Sequence, residues 1–529
     1  MDFKDKKAYS LNNKVLAVVV AGVLILLNVF SYRFFVRSDW TATGRYSLSE
    51  SSEKVLENLN DLVKIKAYFT GNPPPQFLRV RQYVSDLLME YDAAGDEYFD
   101  YEFIDPEGNP EVEQEAGVVG VVPVTMQARD EGEAQSKTGY LGIGIFYQGK
   151  TDAIPVIDHQ KLETFENDLT TAIFNLTQPN KKVVGFLTGH GEYTIGESFN
   201  QGSQADQYSF AAQVLRKNFE VRTVNLAEDE QPLEGVDVLV SARPESDFSQ
   251  RDTVAIDQFL KNGGSLLLLV DGYAFAGGAD LEPIETNALE FLRPLGVSVQ
   301  RKLLLDSSAD KANIDRGGIV VSELYEPFLR LLEEHFSDGP IMTNIRSLSF
   351  RFTSPLLIEP VEGLEYDEFI RTTDQAWVQE EPFKIQPNNI PPPTDDIRSQ
   401  HTVAVAVSGV LPSLDAASSR SGAGESKPSR VIVVSDTEFL GNPNSMALQF
   451  GMVDFTPYVV FLNMVNYLAY GNDFINILGK TLDDSPIKTL TKNERRTISL
   501  LGIALVPVLV TMAGALRLWR RKRSDKISS

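Results

Sequence analysis

The sequence predicts an α/β protein built on a doubly wound parallel sheet, with two membrane helices flanking the folded body. Three observations predict it. The first is Lys181–Glu192, where the apolar run Val183–Leu187 stops at the turn Gly189-His190-Gly191-Glu192. Such a run suits a strand buried on both faces, and the glycines let the backbone turn at its carboxyl end, where open α/β sheets bind ligands. The second is the alternation of apolar strands and amphipathic helices beyond it, ending in the run Leu266–Val270. The third is a pair of apolar stretches near the two ends, Val15–Val36, whose first 18 residues carry no charge, and the uncharged Ile498–Leu516.

Val15–Tyr32 contains no charged residue and is preceded by Lys4, Lys6, Lys7 and Lys14. No small-x-small cleavage site comes after it, so an uncleaved anchor is expected over residues 15–36, with residues 1–14 cytoplasmic. Ile498–Leu516 is followed at once by Arg517, Trp519, Arg520, Arg521, Lys522 and Arg523. The positive-inside tendency places this basic tail, residues 517–529, in the cytoplasm. The expected arrangement is therefore a plasma (inner) membrane protein with both termini cytoplasmic and the body periplasmic or otherwise extracytoplasmic.

Arg45–Glu50 opens a helix, with Ser47 and Glu50 in the S-x-x-E capping pattern and Leu48, Val55, Leu56, Leu59 and Leu62 on one face. Lys64–Phe69 and Tyr98–Ile104 alternate as strands around a helix at Phe77–Ala93. A short helix at Pro110–Ala116, strand segments through Pro123, and a hairpin from Leu141 to Ile157 complete a unit over residues 45–160. Its order resembles a thioredoxin-like fold. Pro123 stands where that fold carries a cis-proline, but the CxxC pair is missing.

His159–Leu176 is expected as a linking helix. Beyond it, Val183–Leu187, Val221–Leu226, Val236–Ser241 and Ser265–Val270 read as strands, and Tyr208–Phe219 and Ser249–Asn262 as helices. Together with Arg430–Ser435 and a helix at Pro457–Tyr470, they form a flavodoxin-like domain over 161–282 and 430–475. The span 283–412 is a β-rich insertion, read as a short helix Thr286–Leu295, a strand Val297–Leu305, a helix Leu324–Phe336 and further strands. The Ser/Ala/Gly-rich stretch 413–429 is a flexible loop.

Composition narrows the functions. There are no cysteines, which excludes disulfides, thiolate nucleophiles and Cys-ligated zinc. Four histidines in all (His159, His190, His335 and His401) argue against a multi-His metal site, and no cofactor is expected. The formal net charge is −24 although both ends are basic, so the body is strongly acidic, which disfavours nucleic acid as a partner. Gly144–Thr151 matches the spacing of a phosphate-binding loop, G-x4-G-K-T. Its inner residues Ile145, Phe146 and Tyr147 are strand formers, and no helix comes next, so ATP hydrolysis is not expected of this chain.

Four pieces carry a family resemblance: Arg45-Tyr46-Ser47-Leu48-Ser49; Phe186–Glu192; Ile256–Leu260 leading through Gly263-Gly264 to Val270-Asp271; and Val433–Phe439 with Phe461-Leu462-Asn463. In this order and spacing they resemble the GldG-like family of ABC-transporter auxiliary proteins, named after a gliding-motility component. The resemblance implies an extracytoplasmic domain that works with a separate membrane subunit and an ATPase subunit. It also implies a fold related to class I glutamine amidotransferases, whose nucleophile is a cysteine this chain lacks.

In a doubly wound sheet the strand ends converge. That collects His190, Glu192, Arg243, Asp271, Asp436 and Glu438 as candidate ligand- or partner-binding residues. Three roles fit these residue types: helix capping and turn satisfaction, binding of a sugar, peptide or cation, and acid/base hydrolysis by His190 with Glu192 or Asp436. No G-x-S-x-G nucleophile elbow occurs. The leading expectation is a non-enzymatic auxiliary subunit of an ABC transporter. It would bind cargo or an extracytoplasmic protein or glycan, and would contact the lipid bilayer through its two helices. A membrane-anchored hydrolase and a structural tether of the complex are the alternatives.

Overall fold

The structure is a computed structural model, and it describes residues 48–471 apart from 131–132, 159–161, 179–180, 197–206, 229–230, 278–279, 316–318, 344, 388, 395–396, 415–425 and 444–452. It is mixed α/β with several separate sheets.

The chain enters on helix α1 (Glu50–Glu57), capped by Ser49, whose side chain accepts the backbone N–H of Ser52. The cap is thus two residues later than the Ser47 pattern suggests. A buried carboxylate decides this: Glu166 accepts from the backbone N–H of Ser49 at 2.7 Å and from the Ser52 hydroxyl at 2.9 Å. Strand β1 (Val63–Phe69), helix α2 (Pro75–Gly95), strand β2 (Phe99–Ile104) and helix α3 (Pro110–Val119) come next. A two-stranded ribbon, β3 (Val124–Asp130) and β4 (Glu133–Gly139), leads into β5 (Leu141–Tyr147) and β6 (Lys150–Ile154). The first sheet has the order β2-β1-β5-β6, with β1 parallel to β2 and antiparallel to β5. Val63, Ile65, Ala67, Ile143 and Ile145 face α1, α2 and helix α4 (Phe165–Thr177) in one core.

The second sheet has nine strands. It contains β7 (Val183–Thr188), β8 (Glu220–Asn225), β9 (Val238–Ala242), β10 (Ser265–Leu269) and the strand Ser429–Val434, all parallel to their neighbours in this set. Thr402–Gly409, Leu356–Ile358, Val297–Val299 and Leu364–Arg371 extend it antiparallel. Every residue of β9 and β10 is buried, as strands covered on both faces require. Helices α5 (Ser209–Leu215) and α7 (Thr456–Tyr470) cover one face, and α6 (Gln250–Lys261) covers the other. Tyr470, at the end of α7, packs against both cores: its ring lies 5.0 Å from Phe174 of α4 and 6.1 Å from Phe219.

Several expectations are corrected. Leu324–Phe336 is not a helix: Val320–Leu332 is a strand, and only Glu333–His335 makes a 3-10 turn. Pro327 inside it would break a helical ladder, and Tyr325 and Phe328 suit a pleated surface. Val297–Leu305 divides into two strands in different sheets, Val297–Val299 and Leu303–Leu305, the second paired with Trp377–Gln379. Thr286–Leu295 makes two 3-10 turns, Asn287–Leu289 and Arg293–Leu295, with Pro294 inside the second. Among the described residues the cis peptide bond is Glu381–Pro382, so Pro123 does not follow a cis bond. The phosphate-loop spacing lies on β5 and β6, joined through left-handed Gln148 and Gly149, a hairpin turn with no helix N-terminus behind it.

The two membrane spans, and the inner-membrane location built on them, are also corrected. No helix of the described residues is long and apolar enough to cross a membrane. Helix α2, with 21 residues, is long enough, but it carries charges along its length. Val15–Val36 and Ile498–Leu516 lie outside the described residues.

Candidate functional site

The parallel strands end together, and the residues just past β7, β9, β10 and Ser429–Val434 form a polar rim. At β7 the chain turns through Gly189 (φ +118°) and Gly191 (φ +84°), a left-handed backbone that side chains resist. A Cβ on Gly191 would also stand 3.0 Å from the Cβ of Glu245. This close approach lets the β9–α6 loop zip onto the turn. Glu245 and Ser246 donate their backbone N–H groups to the His190 carbonyl at 2.8 and 3.0 Å, and Tyr193 donates to the Ala242 carbonyl at 2.8 Å.

His190 lies between two carboxylates. Its Nδ1 is 2.9 Å from Glu192 Oε1, and its Nε2 is 3.2 Å from Asp252 Oδ2. The Glu192 side chain is fully buried, and its other oxygen accepts the His190 backbone N–H at 2.7 Å. The Glu192 hydrogen bond raises the His190 pKa above 6.5; burial opposes this and Asp252 adds to it. Asp252 is already part of a capping box with Ser249 at the start of α6. Burial pushes the Asp252 carboxyl up, but the Ser249 cap and His190 outweigh it, so it lies below its ordinary value.

A second cluster centres on Arg243, which leaves β9 with φ +56°, an uncommon conformation for a residue with a side chain. Its guanidinium lies 5.0 Å from the Tyr193 ring centre and donates to the Tyr193 hydroxyl. Glu438 takes the Tyr193 hydroxyl at 2.5 Å and lies 3.4 Å from Arg243 Nη1. Arg243 Nε is within ion-pair range of Glu245 (3.4 Å) and Asp271 (3.9 Å), yet makes no hydrogen bond. Asp271 accepts from the backbone N–H of Thr437 at 2.8 Å and from its hydroxyl.

Asp436 lies deeper and is fully buried. It accepts from the backbone N–H groups of Arg351 (2.6 Å) and Phe439 (3.0 Å) and from the Thr353 hydroxyl (2.7 Å). Burial, with Asp271 beside it, pushes its pKa up, and the three donors hold the rise back. Burial likewise raises Asp271, against its Thr437 bonds and Arg243.

The structure therefore brings the six sequence-predicted residues together as two rim clusters and one buried brace. His190 meets Glu192; Arg243, Asp271 and Glu438 share a second cluster; Asp436 ties the strand end to Arg351 and Thr353 rather than to His190. Sequence reasoning missed Asp252, Tyr193, Glu245 and Thr437. The Ser249-x-x-Asp252 cap was a readable signal for Asp252. Nothing local marks Tyr193 as the residue that joins Arg243 to Glu438, because they lie far apart in the chain.

The fold and rim define a mixed α/β protein with an ion-paired polar surface at the ends of its parallel strands. The chain belongs to the family described as an ABC-type uncharacterized transport system, which matches residues 181–469. Residues 42–145 match a separate domain of unknown function. A protein of Borreliella burgdorferi, itself described as uncharacterized, is 20% identical over 536 residues, covering 97% of this chain and 99% of its own. Among solved structures, the mmIFT52 N-terminal domain is 12% identical with a TM-score of 0.35, over 55% of this chain and 99% of that one. A ThuA-like protein from Bacteroides uniformis is 11% identical with a TM-score of 0.28, over 56% of this chain and 95% of its own. At such scores neither likeness bears on function. Family membership assigns the chain a role associated with an ABC transporter.

Proposed function

We propose that this chain is a non-enzymatic auxiliary subunit of the GldG-like kind, which binds cargo or a partner protein and couples it to separate membrane and ATPase subunits of the transporter. The observation that carries the reading is the Arg243 cluster. A cation in a strained backbone conformation, with an Nε that makes no hydrogen bond, sits at the sheet end where ligands bind, beside the half-exposed carboxylates of Glu245 and Glu438. The four motifs in GldG-like order support the narrower family placement. The unit over residues 45–160 and the domain over 161–282 and 430–475, with its insertion 283–412, are the parts we assign to this subunit.

Hydrolysis is the weaker reading. Both ring nitrogens of His190 are engaged by carboxylates, and a general base needs one free to take a proton. The test is copurification in detergent from native membranes, comparing wild type with Arg243→Ala. An ATPase and a polytopic subunit should copurify with wild type, and cargo or partner capture should be lost in the variant. Absence of any ATPase partner from the wild-type sample defeats the proposal.

A further inference from the structure

The charge of His190 decides how many bonds it can make. A neutral imidazole has a single N–H, whereas two carboxylates, Glu192 from its own turn and Asp252 from α6, face its two nitrogens. Only the imidazolium satisfies both. In the neutral form a lone pair confronts one carboxylate in a site that is almost closed to water: the three side chains are 11%, 0% and 8% exposed. The aromatic rings packed beside His190 offer no hydrogen-bond partner. The Phe248 ring meets it edge-on at 5.0 Å and is backed by Phe291 at 4.8 Å. Glu192 and Asp252 are the charges that act on the ring, and Glu245 with its partner Arg243 belongs to the loop that is bonded to the His190 carbonyl.

We infer that His190 is a pH-sensitive latch: as an imidazolium it clamps the Gly-His-Gly-Glu turn to α6 and so holds the β9–α6 loop, with Arg243 at its start, in the arrangement the rim requires. The partner-binding consequence rests on the function proposed above; the latch itself does not. Because the folded pKa of His190 is raised above 6.5, the clamp is complete below that value and is lost as pH rises through the folded pKa.

The test is hydrogen–deuterium exchange of the full chain, read at the amides of Glu245 and Ser246 from about pH 6 to pH 9 and corrected for intrinsic exchange. Wild type should lose protection several-fold as pH rises, by at most about tenfold per pH unit. Asp252→Asn keeps an acceptor for the Ser249 cap but removes one charge facing the ring, so its loss should begin at lower pH. His190→Gln should show little protection and a flat profile. A flat wild-type profile overturns the latch, as does an unshifted loss in Asp252→Asn or a wild-type profile in His190→Gln. If His190→Gln does not fold, the wild-type profile and the Asp252→Asn shift decide alone. Partner capture over the same pH range separates the two proposals. Capture that tracks the protection supports both, whereas capture that ignores a real loss of protection keeps the latch and removes the rim as the contact surface.

Discussion

Glu192 grips His190 twice, taking its backbone N–H at 2.7 Å with one carboxylate oxygen and meeting its Nδ1 at 2.9 Å with the other. A single buried side chain thus holds the path of the turn after β7 and contributes most to the raised pKa of the ring. Glu192→Gln keeps one acceptor but loses the charge. The expected cost is ~1–3 kcal/mol, the range for a charge-assisted bond lost in a buried site. An unchanged urea midpoint would refute the double grip.

The turn also depends on two backbone constraints that glycine substitutions separate. Gly191 and Gly235 both have positive φ, +84° and +71°, but only Gly191 has a close neighbour; nothing lies within 4 Å of a Cβ on Gly235. Gly235→Ala should cost about 1–2 kcal/mol for the left-handed backbone alone. Gly191→Ala should cost more and should loosen Glu245, as chemical denaturation of the two variants side by side would show. Equal costs would mean that the approach to Glu245 is slack.

The buried carboxylates predict a loss of stability as pH rises from the acid range towards neutrality. Burial raises the folded pKa of Asp271 above 3.8, and it raises Asp436 as well, so the folded state holds protons that the unfolded state has released. Stability contributed this way is complete at low pH and falls as pH rises from the ordinary carboxylate value through the folded one. Asp271→Asn should flatten the slope of unfolding free energy against pH between the ordinary carboxylate value of 3.8 and the folded value of about 6. A slope identical to wild type would show that Asp271 is already ionised there.

Tyr470 joins the two cores, so its removal should uncouple them. Tyr470→Ala is expected to cost ~2–4 kcal/mol, somewhat below a fully buried aromatic, and to split one unfolding transition into two. Calorimetry that finds a single transition in the variant would show that other contacts carry the coupling.

Arg243 separates binding from folding. Arg243→Gly removes the ion pairs with Glu438 and Asp271 but relieves the left-handed backbone, worth about 1–2 kcal/mol. Its thermal midpoint should therefore change little while partner capture is lost. A large drop in midpoint would assign Arg243 to folding instead.

Much of the fold was legible in the chain. Val183–Leu187 and Ser265–Val270 announce strands covered on both faces, because a short continuous apolar run bounded by turn residues suits a doubly buried strand, and Ser249-x-x-Asp252 announces the start of α6. The insertion was less legible. Leu324–Phe336 reads as a helix despite Pro327, and the pairing of Val320–Leu332 with Ala309–Asp315 and Ser347–Arg351 makes it a strand. The six candidate residues were found because strand ends converge in such sheets. Their division was not, since it depends on contacts such as Tyr193 with Glu438 across the fold.

By itself, then, the sequence determined which segments must be buried, where the chain turns, and that the body is acidic and free of thiol chemistry; these depend on side-chain polarity and backbone freedom alone. Only the tertiary structure decided that His190 faces two carboxylates, that Arg243 leans on Tyr193, and that Asp436 is a buried brace. Apart from the local bonds of His190 to Glu192 and of Asp436 to Phe439, those outcomes rest on distances of a few ångströms between residues far apart in the chain, such as His190 and Asp252, which no local pattern encodes.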